Sequence, residues 1–402
     1  MATYTPSELT SYLTHIRFPN PSSPPPPTLS TLRSLIIHHI SNVPFENLSM
    51  HYRPPHAPFG SHFPPISVVP QQILTKLIPH SACSAASDIP AENGLADAPS
   101  RGGYCMEVNT VISTVLRTIG YSVWTIGGRG SLYLWTGGQD QTGAFGGWDH
   151  MATIVDLSED PEARKDGGET NLWLVDIGFG GNGPIAPIPL IDGAVIGEKE
   201  CQLVRVVRRT RPVLLNVSNP HIDLGWIFQN GEALNLNIPE EAQKAKDAES
   251  NLSGAVVRVS NTKVIKWVDG YHFYPFIPFL LPDYEAMSFA TSTHPDAGFY
   301  DMMVCVRLLR EDEITEEERK KWGQEITGKI IVRDRWLTRK IGGKGTVLKE
   351  FKNEDERVEA LWTWFRIKVE KDWIRGGKLE IKEDKEEEKK KKEEESQKNE
   401  AR

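Results

Sequence analysis

The spacing of apolar residues changes near residue 120, and no other feature restricts the fold of this chain as much. Before that point apolar residues recur at helical intervals. "TPSELTSYLTHI" opens with Thr5 placed to cap a helix, Pro6 at its first position and Glu8 at its third, the pattern of a capping box. "TLSTLRSLIIHHISN" carries Leu32, Leu35, Ile36 and Ile40 on one face, and "EVNTVISTVLRTIGY" repeats the pattern until Gly120 stops it. The stretches "PPHAPFGSHFPP" and "SACSAASDIPAENGLADAPS" between them read as loops.

After residue 120 the period becomes two. "YSVWTIGGRG", "HMATIVDL", "NLWLVDIGF", "CQLVRVVR" and "PVLLNVS" are β-branched, apolar runs parted by Gly- and Asp-rich turns. A run of helices followed by a run of strands predicts an α+β protein: a helical domain over 1–120, then a β-barrel or strongly curved antiparallel sheet over 121–240. Residues 241–254 are polar and read as a linker. A third region, 255–373, mixes strands ("MMVCVRLL", "GKIIVRDRWL", "GTVLKEF") with the amphipathic "NEDERVEALWTWFRI". From 374 to 402 the chain runs into "EIKEDKEEEKKKKEEESQKNEAR", almost without apolar residues and balanced in charge, which predicts a frayed or disordered tail.

Composition narrows the function class. A net charge of −8, with no face-sized basic block, argues against a nucleic-acid partner. The N-terminus lacks a basic and apolar leader, and the most apolar stretch, "YHFYPFIPFLLPDY", is short and broken by three prolines, so no membrane partner is expected. Four scattered cysteines form no CxxC pair or Cys/His cluster. No metal site is expected, and a cytoplasmic location follows from few cysteines in a long chain.

Of those cysteines, Cys105 in "SRGGYCMEVNT" stands just where a helix begins, and unpaired N–H groups at a helix start favour a thiolate. A cysteine in that position is also a common small core residue, so partners are required. His150 in "FGGWDHMATIVDL" follows a glycine-rich turn at the opening of a strand. Asp176 in "NLWLVDIGFGGNGP" lies inside an apolar strand, where a carboxylate is costly unless paired, ideally with a histidine N–H; a surface aspartate is the alternative. Gly178, Gly180 and Gly183 formally match a dinucleotide fingerprint, but "PIAPIPLID" follows and cannot form the helix that such a site needs.

Taken together, several segments resemble the arylamine N-acetyltransferase family. "RGGYCMEVN" is similar to its nucleophile motif, "HISNVPFENLSMHY" to its N-terminal signature, "HMATIVD" and "VDIGFGG" to its histidine and aspartate segments, and "FATSTHPDAGFYDMMVCVRL" to its lid, in the same order over about residues 5–370. The resemblance implies a helical bundle, a β-barrel and an α/β lid around a cysteine-protease-like core. It implies a catalytic triad of Cys105, His150 and Asp176, with Arg101 and Glu46 bracing the nucleophile loop. Phe45 and Phe179 would line the acceptor pocket, and Gly147 and Thr293 would lie near CoA. Ala297 stands where the family often has serine, and segments 79–100 and 129–149 are longer than usual.

The implied reaction passes an acetyl group from acetyl-CoA, a co-substrate rather than a bound cofactor, to an arylamine, arylhydrazine or N-hydroxyarylamine through an S-acyl-cysteine, in ping-pong order. Xenobiotic amines are the expected acceptors. Malonyl- or propionyl-CoA is the alternative donor if the altered lid supplies a cation or extra space. A transglutaminase-like cysteine hydrolase shares the Cys…His…Asp order, and a silent scaffold using the charged tail is the non-enzymatic alternative.

Overall fold

The first helix, α1 (Pro6–His15), starts as its capping box requires: Thr5 Oγ1 accepts from Glu8 N–H at 3.2 Å while Glu8 Oε2 accepts from Thr5 N–H at 2.7 Å. The structure, a computed structural model, describes residues 2–53, 67–78, 101–197, 203–210, 224–234, 256–260, 263–294, 297–322, 325–342, 344–370 and 374–375. The linker over 241–254, the strand "PVLLNVS", the loop over 79–100 and the tail beyond 375 lie outside the described residues.

Helices α2 (Leu29–Asn42) and α3 (Pro70–Leu77) pack with α1 around α4 (Cys105–Ile119). Every α4 residue from Cys105 to Leu116 is buried, because the helix is enclosed by the bundle on one side and by Val155, Trp173 and Val175 of the sheet on the other. Its Val108, Val111, Ile112, Val115 and Leu116 each contribute on the order of 1.5–3 kcal/mol by leaving water. Gly120 ends it at φ +110°, in the left-handed region that glycine enters at low cost.

Short strands β1 (Phe45–Glu46) and β2 (Tyr52–Arg53) precede the main sheet, which contains β3 (Ser122–Ser131), β4 (Phe145–Asp156), β5 (Leu172–Val175), β6 (Ile188–Pro189), β7 (Val195–Ile196), β8 (Leu203–Thr210), β9 (Leu224–Leu234), β10 (Val256–Ser260) and β11 (Lys263–Pro278). Its order is β6-β5-β4-β3-β11-β9-β8-β7, with β10 on β11, and it curls into a nearly closed, barrel-like wall. Strands 256–278, which the sequence grouped with the third region, are hydrogen-bonded into this sheet: Tyr271 pairs with Gly130 and Trp267 with Gly231. The polar segment before them interrupts the sequence pattern and not the sheet.

A second antiparallel sheet holds β12 (Val304–Arg310), β13 (Ile326–Arg333), β14 (Trp336–Ile341) and β15 (Lys344–Glu350), in the order β1-β12-β13-β14-β15. Its outer member β1 comes from the helical segment, with Phe45 opposite Val306 and Glu46 opposite Cys305. The terminal pair β16 (Ile374–Arg375) joins β2. Alternation divides β13: Ile330 and Val332 enter a core with Leu361 and Phe365 of the closing helix Glu354–Phe365, while Lys329, Ile331 and Arg333 face a cleft toward α4.

Candidate active site

Cys105 is the first residue of α4 and is 3% exposed. The loop before it is closely packed and held by several hydrogen bonds. A Cβ on Gly102 would come within 1.7 Å of Pro44 O, and one on Gly103 within 2.6 Å of Glu107 Oε2, so both positions require glycine. Gly103 O accepts from Glu46 N–H at 3.0 Å, and Glu107 Oε2 accepts from Tyr104 N–H at 3.2 Å. Glu46, fully buried, accepts from Arg101 Nε at 3.0 Å and from Leu48 N–H at 2.6 Å. Lys76 on α3 lies 3.8 Å from Glu46 and 2.7 Å from Glu107, completing a chain of alternating charges beneath the loop. Burial opposes ionisation of Glu46, but Arg101 and Lys76 outweigh it and hold the carboxyl down at about 2.

His150 lies within β4 opposite Gly128, since the glycine-rich segment before it is strand rather than the expected turn. The lack of a side chain at Gly128 leaves room for the imidazole: an added Cβ would sit 3.3 Å from His150 Cβ and 3.0 Å from Tyr271 Cδ2. Asp176 is the residue just after β5 rather than inside it, and it is buried. Its Oδ2 is 2.8 Å from His150 Nε2. Its Oδ1 accepts from Asn109 Nδ2 at 3.1 Å and from Gly178 N–H at 2.9 Å. Burial disfavours the imidazolium, yet the charge and hydrogen bond of Asp176, with a smaller contribution from Cys105, raise the His150 pKa to about 10. Asp176 moves in the opposite sense, held below the usual carboxylate range by His150 and its N–H donors against the effect of burial.

Cys105 and His150 open on one cleft of about 540 Å³, whose walls include Phe45, Trp135, Phe179 and Phe299. The Phe179 ring stands edge-on to His150 at 5.2 Å between centroids, and Phe45 faces Phe299 at 6.0 Å. The structure thus brings together Cys105, His150, Asp176, Arg101, Glu46, Phe45 and Phe179. Gly147 and Thr293 are not among the residues lining this cleft: Gly147 is exposed on β4, and the Thr293 hydroxyl donates to Phe289 O within its own helix at 2.6 Å. No cluster of three His, Cys, Asp or Glu side chains suited to a metal occurs among the described residues.

Sequence reading missed three contributors. Asn109, one helical turn after Cys105, also donates to Met151 O at 2.6 Å, so α4 carries both the thiol and the amide that fixes Asp176. An amide side chain one turn after the candidate nucleophile was the available signal. Tyr271 packs 4.4 Å from the His150 ring and Lys76 supports the loop, and neither is marked by local sequence.

The N-acetyltransferase family profile matches residues 98–374. The chain is 26% identical over 345 residues to the N-malonyltransferase FDB2 of Fusarium pseudograminearum, covering 85% of this chain and 79% of that protein. It is 28% identical over 168 residues to the arylamine N-acetyltransferase of Escherichia coli, covering 42% and 43%. Its fold matches the arylamine N-acetyltransferase of Salmonella typhimurium (TM-score 0.58, 18% identity, 93% and 96% of the chains). It also matches that of Mycobacterium marinum in complex with CoA (TM-score 0.58, 20% identity, 94% and 98%). With more than half of its length under the family profile, the chain belongs to the arylamine N-acetyltransferase family and is an acyltransferase.

Proposed function

We propose that the protein transfers an acyl group from acyl-CoA to the nitrogen of an aromatic amine, by way of an S-acyl-Cys105 intermediate. The observation that carries this reading is the buried His150–Asp176 contact of 2.8 Å, with the imidazole lining the cleft into which Cys105 opens. His150 takes the thiol proton, and Asp176 holds the other side of the ring in place. The thiolate attacks the thioester carbonyl, and the oxyanion is met by backbone N–H groups of the first turn of α4, that of Cys105 included. CoA leaves, the amine attacks the S-acyl enzyme, and His150 removes the amine proton. Phe45 and Phe179 offer an aromatic wall to a ring-bearing acceptor, whose weakly basic nitrogen is neutral at pH 7. The Arg101–Glu46 pair keeps the nucleophile loop in register.

Acetyl-CoA is the donor that the family resemblance implies. The relatives named N-malonyltransferase FDB2, from Fusarium pseudograminearum and Gibberella moniliformis, are matched over 79% and 90% of their length, whereas the Escherichia coli acetyltransferase is matched over 43%. That contrast favours malonyl-CoA. Family membership also favours transfer over a transglutaminase-like hydrolysis. Intact-protein mass spectrometry after mixing with acyl-CoA alone tests the reading: an acyl adduct on Cys105, absent from Cys105→Ser, is expected. Initial-rate patterns of a ternary complex overturn it.

A further inference from the structure

We propose that Lys329 is the residue that selects the acyl donor, by receiving the carboxylate at the far end of a malonyl-class acyl group. The inference rests on the acyl-transfer reading above and names what that site discriminates.

Lys329 projects from β13 into the cleft that holds Cys105, on a wall shared with Ile331 and Val306. It is only 6% exposed. Its ammonium donates to Gly181 O and to Asn182 Oδ1, the latter at 3.2 Å, and both acceptors are neutral. Among the described residues no carboxylate forms an ion pair with it. A buried cation on an apolar wall with no counter-charge is costly, and an entering carboxylate repays that cost. The cost shows in its pKa, which burial and the nearby Lys340 pull down to about 7.

Position also fits. Gly178 lies directly against Cys105, an added Cβ falling 2.7 Å from its Cα, and Gly181 of the same loop is the Lys329 acceptor. Three residues span at most about 10 Å, so one short loop touches the nucleophile and accepts from the ammonium, and both side chains line the same cleft. In malonyl-CoA the free carboxylate is two carbons from the thioester carbonyl. Attack by the Cys105 thiolate forms one C–S bond and breaks the bond to CoA, whose sulfur leaves with the proton held by His150. The carboxylate stays ionised throughout, against Lys329.

The test is acylation of Cys105 with no amine present, comparing malonyl-CoA with acetyl-CoA. Both donors carry the same CoA, so the ratio of their second-order rate constants cancels effects on CoA binding and on folding. The wild type is expected to favour malonyl-CoA. In Lys329→Met the ratio should fall about 10- to 100-fold, the size of a lost charge-assisted hydrogen bond, and Lys329→Arg should retain most of it. Where the Met variant fails to fold, Lys329→Gln carries the same comparison. An unchanged ratio, even with both rates lowered, overturns the proposal. So does a loss confined to turnover of aminobenzoates, which would place the carboxylate on the acceptor. A wild type acylated by acetyl-CoA and no better by malonyl-CoA overturns it while keeping acyl transfer. No adduct from either donor overturns both readings.

Discussion

Replacing Gly178 with alanine is the sharpest perturbation of the site, because it leaves all three triad residues chemically intact. A Cβ there would stand 2.5 Å from Asn109 Nδ2, 2.7 Å from Cys105 Cα and 3.1 Å from Cys105 Cβ. Ordinary contacts between such atoms are about 3.5–4.0 Å, so the loop and α4 must part by roughly 1 Å. Overpacking of that kind costs about 1–3 kcal/mol, to be read as a lower denaturant midpoint at unchanged slope. The larger effect is on chemistry. Asn109 and the Gly178 N–H both hold Asp176, and a displacement of about 1 Å at a reacting group costs on the order of 100-fold. Rapid-mixing measurement of Cys105 acylation should show that loss. Gly345→Ala is the control: its nearest neighbour, Thr338 Cγ2, is 4.0 Å away, and its stability should change by less than about 0.5 kcal/mol. A Gly178→Ala protein that acylates at the wild-type rate refutes the close packing on which the site is built.

Two further outcomes follow from the charges. Asp176→Asn should fold yet lose about 10,000-fold in acylation rate, since the ring then loses the carboxylate that orients and charges it; retained activity in a folded variant removes Asp176 from the triad. The pH dependence of stability should carry two signatures. Glu46, depressed to about 2, contributes roughly 3 kcal/mol that is present above its unfolded value near 4.5 and lost as pH falls toward 2. His150, raised to about 10, contributes stability present in full below about 6.5 and lost as pH rises through 10. Melting curves of Glu46→Gln and His150→Gln against wild type should converge with it at the acid and alkaline ends respectively.

Much of this was legible because local rules were strong. Thr5, Pro6 and Glu8 marked a helix start that forms as the pattern demands, and Gly120 marked a helix end. Cys105 was readable from its place at a helix start, His150 from the glycine-rich segment before it, and Asp176 as a carboxylate among apolar neighbours. What escaped was set by long-range packing. The sheet continues past the polar interruption before residue 256 because β11 finds β3 and β9, partners that no local window contains. Nothing in the strand "GKIIVRDRWL" marks Lys329, whose place in the cleft depends on the pairing of β13 with β12. The glycines at 102, 103 and 178 were visible as glycines, but the atoms they make room for come from Pro44, Glu107 and Cys105.

The two-residue strand β1 has a consequence for how the molecule is made. Asn47, which follows it, donates to Met302 O at 2.7 Å and accepts from Val304 N–H at 2.9 Å, across 257 positions of chain. At 5 to 20 residues per second, a ribosome needs roughly 13–50 s to deliver that partner after Asn47 has emerged. Until it arrives, the segment from Pro44 to Asn47, which carries the Glu46 support of the nucleophile loop, lacks the strand it leans on. The thiol is therefore synthesised well before the strand that backs the support of its loop.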